Sequence, residues 1–200
     1  MKTDYLPAAE YEKLFELMQP ENVLPLRCSL ETGLRIGDVL ALKRSNLTQK
    51  SRKITYKAQK TGKKGTCYIT DELMKKILLH SGQEYLFEGR SPGKPRTRQA
   101  VYTDLKKAAE KLHIDLNVAP HSCRKTFAVE DLKKKGSLAA VQEDLQHTNK
   151  VVTMLYAYAD KARFTVENGS LTAEEVKKAV KTALIELICD IADYLGNQKK

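Results

Sequence analysis

Residues 51–70, SRKITYKAQKTGKKGTCYIT, alternate apolar and polar positions on both sides of a glycine-containing turn. A period of two sends successive side chains to opposite faces, so this stretch reads as a β-hairpin with strands at 53–59 and 65–70. An isolated hairpin is marginal in water and must be covered by other elements. Those elements are helical: the apolar residues on either side recur at helical spacing, and the expected class is α+β, mainly helical, with one small antiparallel sheet.

Ahead of the hairpin, PAAEYEKLFELM at 7–18 gathers Tyr11, Leu14, Phe15 and Met18 on one helical face, with acidic residues early in the helix. Glu21 to Leu34 reads as a more buried helix, with Gly33 as its terminator. A short helix follows in RIGDVLALK at 35–43, where one turn brings Arg35 and Asp38 together. After the hairpin, helical patterns occupy 71–80 and Thr97–His113, separated by an exposed, basic loop at Gly82–Arg96. Further helices are expected at Ser122–Lys135, 137–146 and 150–158. The segment Thr172–Leu195 carries an apolar stripe through Val176, Val180, Leu184, Leu187, Ile188, Ile191 and Leu195, and is read as an amphipathic C-terminal helix.

Charge narrows the function classes. The net charge is +10, and the excess lies in the middle: residues 35–135 hold 24 basic and 10 acidic side chains, against 3 and 6 before them and 8 and 9 after. Such a concentration suits a polyanion, because each neutralised phosphate releases condensed counterions. No stretch approaches the ~20 apolar residues of a spanning helix, and MKTDYLPAAEYEK lacks the apolar middle of a signal peptide, so an intracellular, cytoplasmic location is expected. Cys28, Cys67, Cys123 and Cys189 are scattered, with neither a CxxC pair nor a histidine at zinc-finger spacing; idle thiols and no metal site are expected.

Four stretches recur in a telling order: TGLRIGDVLALK at 32–43, QKTGKKG at 59–65, HSCRKTFA at 121–128 and LQHTNKVVTMLYAY at 145–158. Taken singly they are ordinary: an ion pair at helical spacing, a solvated hairpin tip, a capping histidine, packing tyrosines. As a series they resemble the catalytic domain of tyrosine recombinases and phage integrases. That family's pattern is an arginine after a TGL-type segment with an acidic residue three positions on, a hairpin lysine, a His-x-x-Arg pair, and a second histidine nine residues before a nucleophilic tyrosine. Here Arg35 with Asp38, Lys60, His121 with Arg124, and His147 with Tyr156 fill those positions. The likeness runs from about Leu6 to Tyr158 and includes YLFEGR at 85–90. Two positions depart from it: Gln146 stands where a glycine usually precedes the second histidine, and Cys123 where a larger aliphatic residue is common.

The resemblance implies a DNA recombinase that cuts and rejoins strands through a 3′-phosphotyrosine on Tyr156, without ATP, metal or other cofactor. Arg35 and Arg124 would clamp the phosphate oxygens with planar guanidinium forks. Lys60 would give a proton to the leaving 5′ oxygen, His121 would assist proton transfer, and His147 would hydrogen-bond the phosphate. Asp38 would orient Arg35 or a nearby histidine rather than react. Tyr158 lies close enough to compete as nucleophile, but the step from His147 favours Tyr156.

The implied partners are double-stranded DNA and other protomers in a synaptic tetramer. Residues 1–171 are expected to form the catalytic domain, with 172–200 packing on it or on a neighbouring protomer, and the family's helical core-binding domain is expected to be absent. Two other readings share parts of the evidence: a type IB topoisomerase-like nicking and resealing enzyme, and a DNA-binding regulator with a dead site. The presence of all six reactive side chains weighs against the second, and assembly separates the first, since relaxation needs only a monomer.

Overall fold

The structure is a computed structural model that describes residues 3–135 and, beyond them, Glu174. The chain divides into two compact units, Met1–Phe127 and Ala128–Lys200. Along the described residues run α1 (Glu10–Glu16), α2 (Pro20–Thr32), α3 (Ile36–Leu40), β1 (Leu47–Thr48), β2 (Lys53–Lys57), β3 (Lys64–Tyr68), α4 (Asp71–His80), α5 (Arg98–Lys111) and α6 (Pro120–Lys135), with single 3₁₀ turns on either side of β1. Helices expected at 137–146, 150–158 and 172–195 lie outside the described residues.

The helices begin and end where local chemistry dictates. α1 is shorter than its periodicity predicts because Pro7–Ala9 form a turn, with Glu10 and Tyr11 donating to the carbonyls of Pro7 and Ala8. Its Tyr11, Leu14 and Phe15 are buried, as is Met18 just beyond it. α2 starts on Pro20, whose fixed φ suits the first turn, and stops at Gly33, which sits at φ 68 in the left-handed region that a side chain disfavours. No side chain of its own caps α2. Asp104 of α5 does so instead: its Oδ2 accepts from the Gln19 backbone N–H at 2.9 Å and from Asn22 Nδ2 at 2.7 Å. Arg96 Nη1 then donates to Asn22 Oδ1 at 2.9 Å, so the buried Asn22 amide is engaged at both ends.

The sheet has the order β1-β2-β3, antiparallel throughout. Pairing of Leu47 with Ile54 and of Ile54 with Cys67 builds the inward face, joined by Tyr56; Lys53, Thr55, Lys57, Lys64, Thr66 and Tyr68 form the outward face. Strand β1 was not foreseen. Its two residues carry no alternation long enough to register as a strand. β2 ends two residues sooner than the pattern predicts because the Ala58 N–H donates to the Lys63 carbonyl and the Gly62 N–H to the Ala58 carbonyl. That closes a six-residue turn, with Gly62 at φ 69, which takes Gln59 out of the strand and holds Lys60 in the turn, as its place at the hairpin tip predicts.

The connection at Gly82–Arg96 differs from the exposed loop expected of its composition. Leu86 is 1% exposed and Phe87 4%. The Leu86 N–H donates to Leu42, Lys43 bridges to Tyr85, and the Arg96 N–H donates to Phe87, so the segment is stitched to the core while Arg90–Lys94 stays outside. The core itself draws Leu26 from α2, Val39 from α3, Ile54 from β2, Ile77 from α4, Val101 and Leu105 from α5, and Val118 from the approach to α6. Full burial of each such aliphatic side chain is worth about 1.5–3 kcal/mol.

The N-terminal residues bind the start of α6 in place. Thr126 Oγ1 donates to the Leu6 carbonyl at 2.6 Å, Lys125 Nζ to the Thr3 carbonyl, and the Asn117 N–H to Asp4 Oδ2 at 2.7 Å. These bonds fix the rotation of α6, and with it the direction of the next side chain on that turn, Arg124. Because Asp104 is the cap of a helix that lacks its own, Asp104→Ala is expected to lower stability by about 1–2 kcal/mol. Urea unfolding checks this, and an unchanged midpoint would refute the capping role.

Candidate functional site

The site is assembled from the end of α2, the start of α3, the hairpin turn and the first turns of α6. Gly33 reverses the chain, Leu34 is buried, and Arg35 follows as the half-buried, extended residue capping the N-terminus of α3. From α6, Arg124 reaches back to the same reversal: its Nη1 donates to the Gly33 carbonyl at 2.5 Å. Two arginines far apart in sequence are thus fastened to adjacent points of one turn.

Their electrostatics follow from burial. Arg124 is only 4% exposed, and its pKa is drawn down to about 10, first by desolvation and then by repulsion from Arg35; Asp38 and Tyr56 oppose the shift. A guanidinium remains protonated at neutral pH even so. Asp38, 5% exposed, spends a hydrogen bond on the hairpin, its Oδ1 accepting from the Gln59 N–H at 2.9 Å. The helical spacing between Arg35 and Asp38 gave no sign of that bond. It ties α3 to the residue immediately before Lys60, whose own side chain stands exposed in the turn.

His121 occupies the exposed start of α6. Its pKa lies below the ordinary 6.5, first through lost hydration and then through the positive charges of Arg124, Lys125 and Arg35. Arg35, Asp38, His121 and Arg124 therefore share one electrostatic neighbourhood. Tyr56 belongs to it as well: its pKa is raised by burial above all, and it feels Arg124, Asp38 and Arg35. Sequence reading passed over Tyr56, although its inward position in β2 was a usable signal. His147, Tyr156 and Tyr158 lie outside the described residues.

Among the described residues, Cys28, Cys67 and Cys123 take no part. Burial raises the thiol pKa of Cys67 and of Cys123 to about 12 and pushes that of Cys28 higher still, so all three are held as unreactive thiols. Among the described residues no group of three His, Cys, Asp or Glu side chains could hold a metal ion, and no helix is long and apolar enough to cross a membrane. What the arrangement can do is hold a multivalent oxyanion: the guanidinium groups of Arg35 and Arg124 lie near enough to repel each other.

Two outcomes follow from this geometry. Asp38→Ala removes the acceptor for Gln59 and the carboxylate that offsets Arg124, and should cost about 2–3 kcal/mol by urea unfolding, with Asp38→Asn costing less because an acceptor remains. For His121, the folded state favours the neutral ring, so stability is fully present above the ordinary value of 6.5 and declines as pH falls below it. NMR titration should place the His121 pKa under 6.5 and Arg35→Gln should raise it; a wild-type value above 6.5 would contradict the described electrostatics.

The family model described as "Phage integrase family" matches residues 4–163 of this 200-residue chain. The tyrosine recombinase XerD of Staphylococcus aureus strain Mu50 is 34% identical over 98 residues, covering 49% of this chain and 32% of that protein, so the matched stretch spans about a third of the relative's length. Among solved structures, XerA recombinase superposes with a TM-score of 0.65 at 22% identity, over 86% of this chain and 67% of that one. A lambda integrase dimer bound to a COC′ core site gives 0.67 at 20% identity, over 78% and 48%. At such identities the structural likeness speaks for the fold, and the family match speaks for descent. The chain therefore belongs to the phage integrase family of tyrosine recombinases, and its helical domain with a three-stranded sheet has the fold of that family's catalytic domain.

Proposed function

We propose that this chain breaks and rejoins DNA at specific sites through a 3′-phosphotyrosine. The observation that carries the reading is the paired guanidinium cluster: Arg124 is buried where the charge of Arg35 repels its own, and a phosphate bound there would relieve the repulsion between the two cations. The equatorial oxygens of a pentavalent phosphorus carry more negative charge than those of the ground state, so fixed cations there stabilise the transition state preferentially.

The step balances as follows. The Tyr156 oxygen attacks phosphorus and its proton passes to His121, whose lowered pKa keeps the ring neutral and able to accept it. As the bond from phosphorus to the 5′ oxygen breaks, Lys60 gives that oxygen a proton, while His147 donates a hydrogen bond to a non-bridging oxygen. The covalent link conserves the energy of the broken bond, and attack by the 5′ hydroxyl of another strand returns both protons and frees the tyrosine. No metal or nucleotide enters this sequence.

Double-stranded DNA is the proposed partner. The excess of 24 basic over 10 acidic side chains at 35–135 suits a phosphate backbone, and lambda integrase, which shares the fold, is described as a dimer bound to its core site. Exchange between two duplexes takes four protomers, and the apolar stripe at 172–195 is a candidate contact between them. Residues 1–171 would then act as the catalytic domain.

Trapping cleavage on a nicked suicide duplex tests the reading. A covalent protein–DNA adduct should form with wild type and with Tyr158→Phe and should be lost in Tyr156→Phe. Loss only in Tyr158→Phe would move the nucleophile, and no adduct from the wild-type protein would end the proposal.

A further inference from the structure

The turn carrying Lys60 is gripped by more than Asp38. Gln59 is held at three points: its backbone N–H donates to Asp38 Oδ1 at 2.9 Å, its Nε2 to the Gly37 carbonyl at 3.2 Å, and its Oε1 accepts from Arg98 Nη2 at 3.1 Å. Arg98 is the first residue of α5, a helix whose N-terminus is separately capped by Thr97 accepting from the Ala100 N–H at 3.1 Å. The capping task is done without Arg98, which is left to span from α5 to the hairpin.

The route it takes is narrow. The guanidinium lies across the backbone of α3 at Gly37, where a Cβ would stand 2.8 Å from Arg98 Cζ and Nη2 and 2.9 Å from Nε. Only glycine leaves room for that passage. An exposed six-residue turn would otherwise sample many orientations, and a lysine on it would spend little time beside any one point. Here one residue of the turn is tied to α3 by two bonds and to α5 by a third.

We propose that Gln59 and Arg98 are positioning residues, a latch that holds the hairpin turn so that Lys60 delivers its proton to the departing 5′ oxygen. Neither touches the reacting atoms. The inference rests on the reading of Lys60 as the proton donor, and it adds α5 to the elements that build the site. Gln59 is uncharged, so the latch is separable from a simple phosphate contact by Arg98.

The test compares two nicked suicide duplexes, one with the natural oxygen and one with sulfur at the 5′ bridging position of the scissile phosphate. A thiolate leaves without a proton, so loss of proton delivery slows the oxygen duplex and spares the sulfur one. Full-chain Gln59→Ala and Arg98→Ala should each cleave the oxygen duplex about 10- to 100-fold more slowly than wild type. Both should cleave the sulfur duplex at the wild-type rate and bind either duplex unchanged. Gly37→Ala should reproduce Arg98→Ala, since its methyl must displace a flexible side-chain end rather than backbone. Variants that slow both duplexes equally, or neither, while Lys60→Ala is rescued by sulfur, overturn the latch and leave the Lys60 reading intact. If Lys60→Ala slows both duplexes alike, the Lys60 reading fails and the latch with it.

Discussion

The hydrogen bond from Arg124 to the Gly33 carbonyl is the constraint around which the described part of the site is organised. A guanidinium taken out of water must be compensated, and here the compensation comes from a backbone carbonyl and a nearby carboxylate rather than from solvent. The carbonyl is available because Gly33, in the left-handed region, ends α2 there and points the chain toward Arg35. A single turn therefore terminates a helix, anchors one arginine and presents the other. The N-terminal bonds from α6 to Thr3 and Leu6 serve the same end, since they set the rotation of α6 that aims Arg124.

Around this fixed pair the remaining groups are graded by exposure. Arg124 and Asp38 are buried, Arg35 and Tyr56 are half-buried, and His121 and Lys60 stand at the surface. The gradient has a physical rationale. Charges that stabilise a transition state without moving gain from a dry, preorganised setting, whereas groups that exchange protons must reach both the substrate and water. Asp38 joins the two regimes: one carboxylate offsets the buried cation and at the same time accepts from the hairpin residue next to the exposed lysine.

Periodicity revealed the faces of elements, and it did so well for α1, where Tyr11, Leu14 and Phe15 are buried, and for α2, where Val23, Leu24 and Leu26 are. It was silent on partners. Nothing in LTQK at 47–50 announces a strand, because β1 exists only as an edge added to β2. The loop at Gly82–Arg96 looks polar by count, yet Leu86 and Phe87 anchor it, and two residues in fifteen do not make a period. The candidate site was legible for a different reason. Arg35, Lys60, His121, Arg124, His147 and Tyr156 were picked out by order along the chain, whereas the bond from Gln59 to Asp38 and the inward placement of Tyr56 depend on how α3 meets the hairpin in space.

The charges proposed to hold an oxyanion also act on the histidine beside them. Burial first, and then the charges of Arg124, Lys125 and Arg35, lower the His121 pKa and so favour the neutral ring. A phosphate bound near the arginines would cancel part of their field, remove part of that depression and make a proton on His121 less costly. Under the proposed mechanism, substrate binding would shift the ring toward the state it must reach when the tyrosine gives up its proton. On the proposed function, a cationic pair would in this way supply both an affinity for phosphate and the change in basicity that proton uptake by His121 requires, without any movement of the helices that carry the groups.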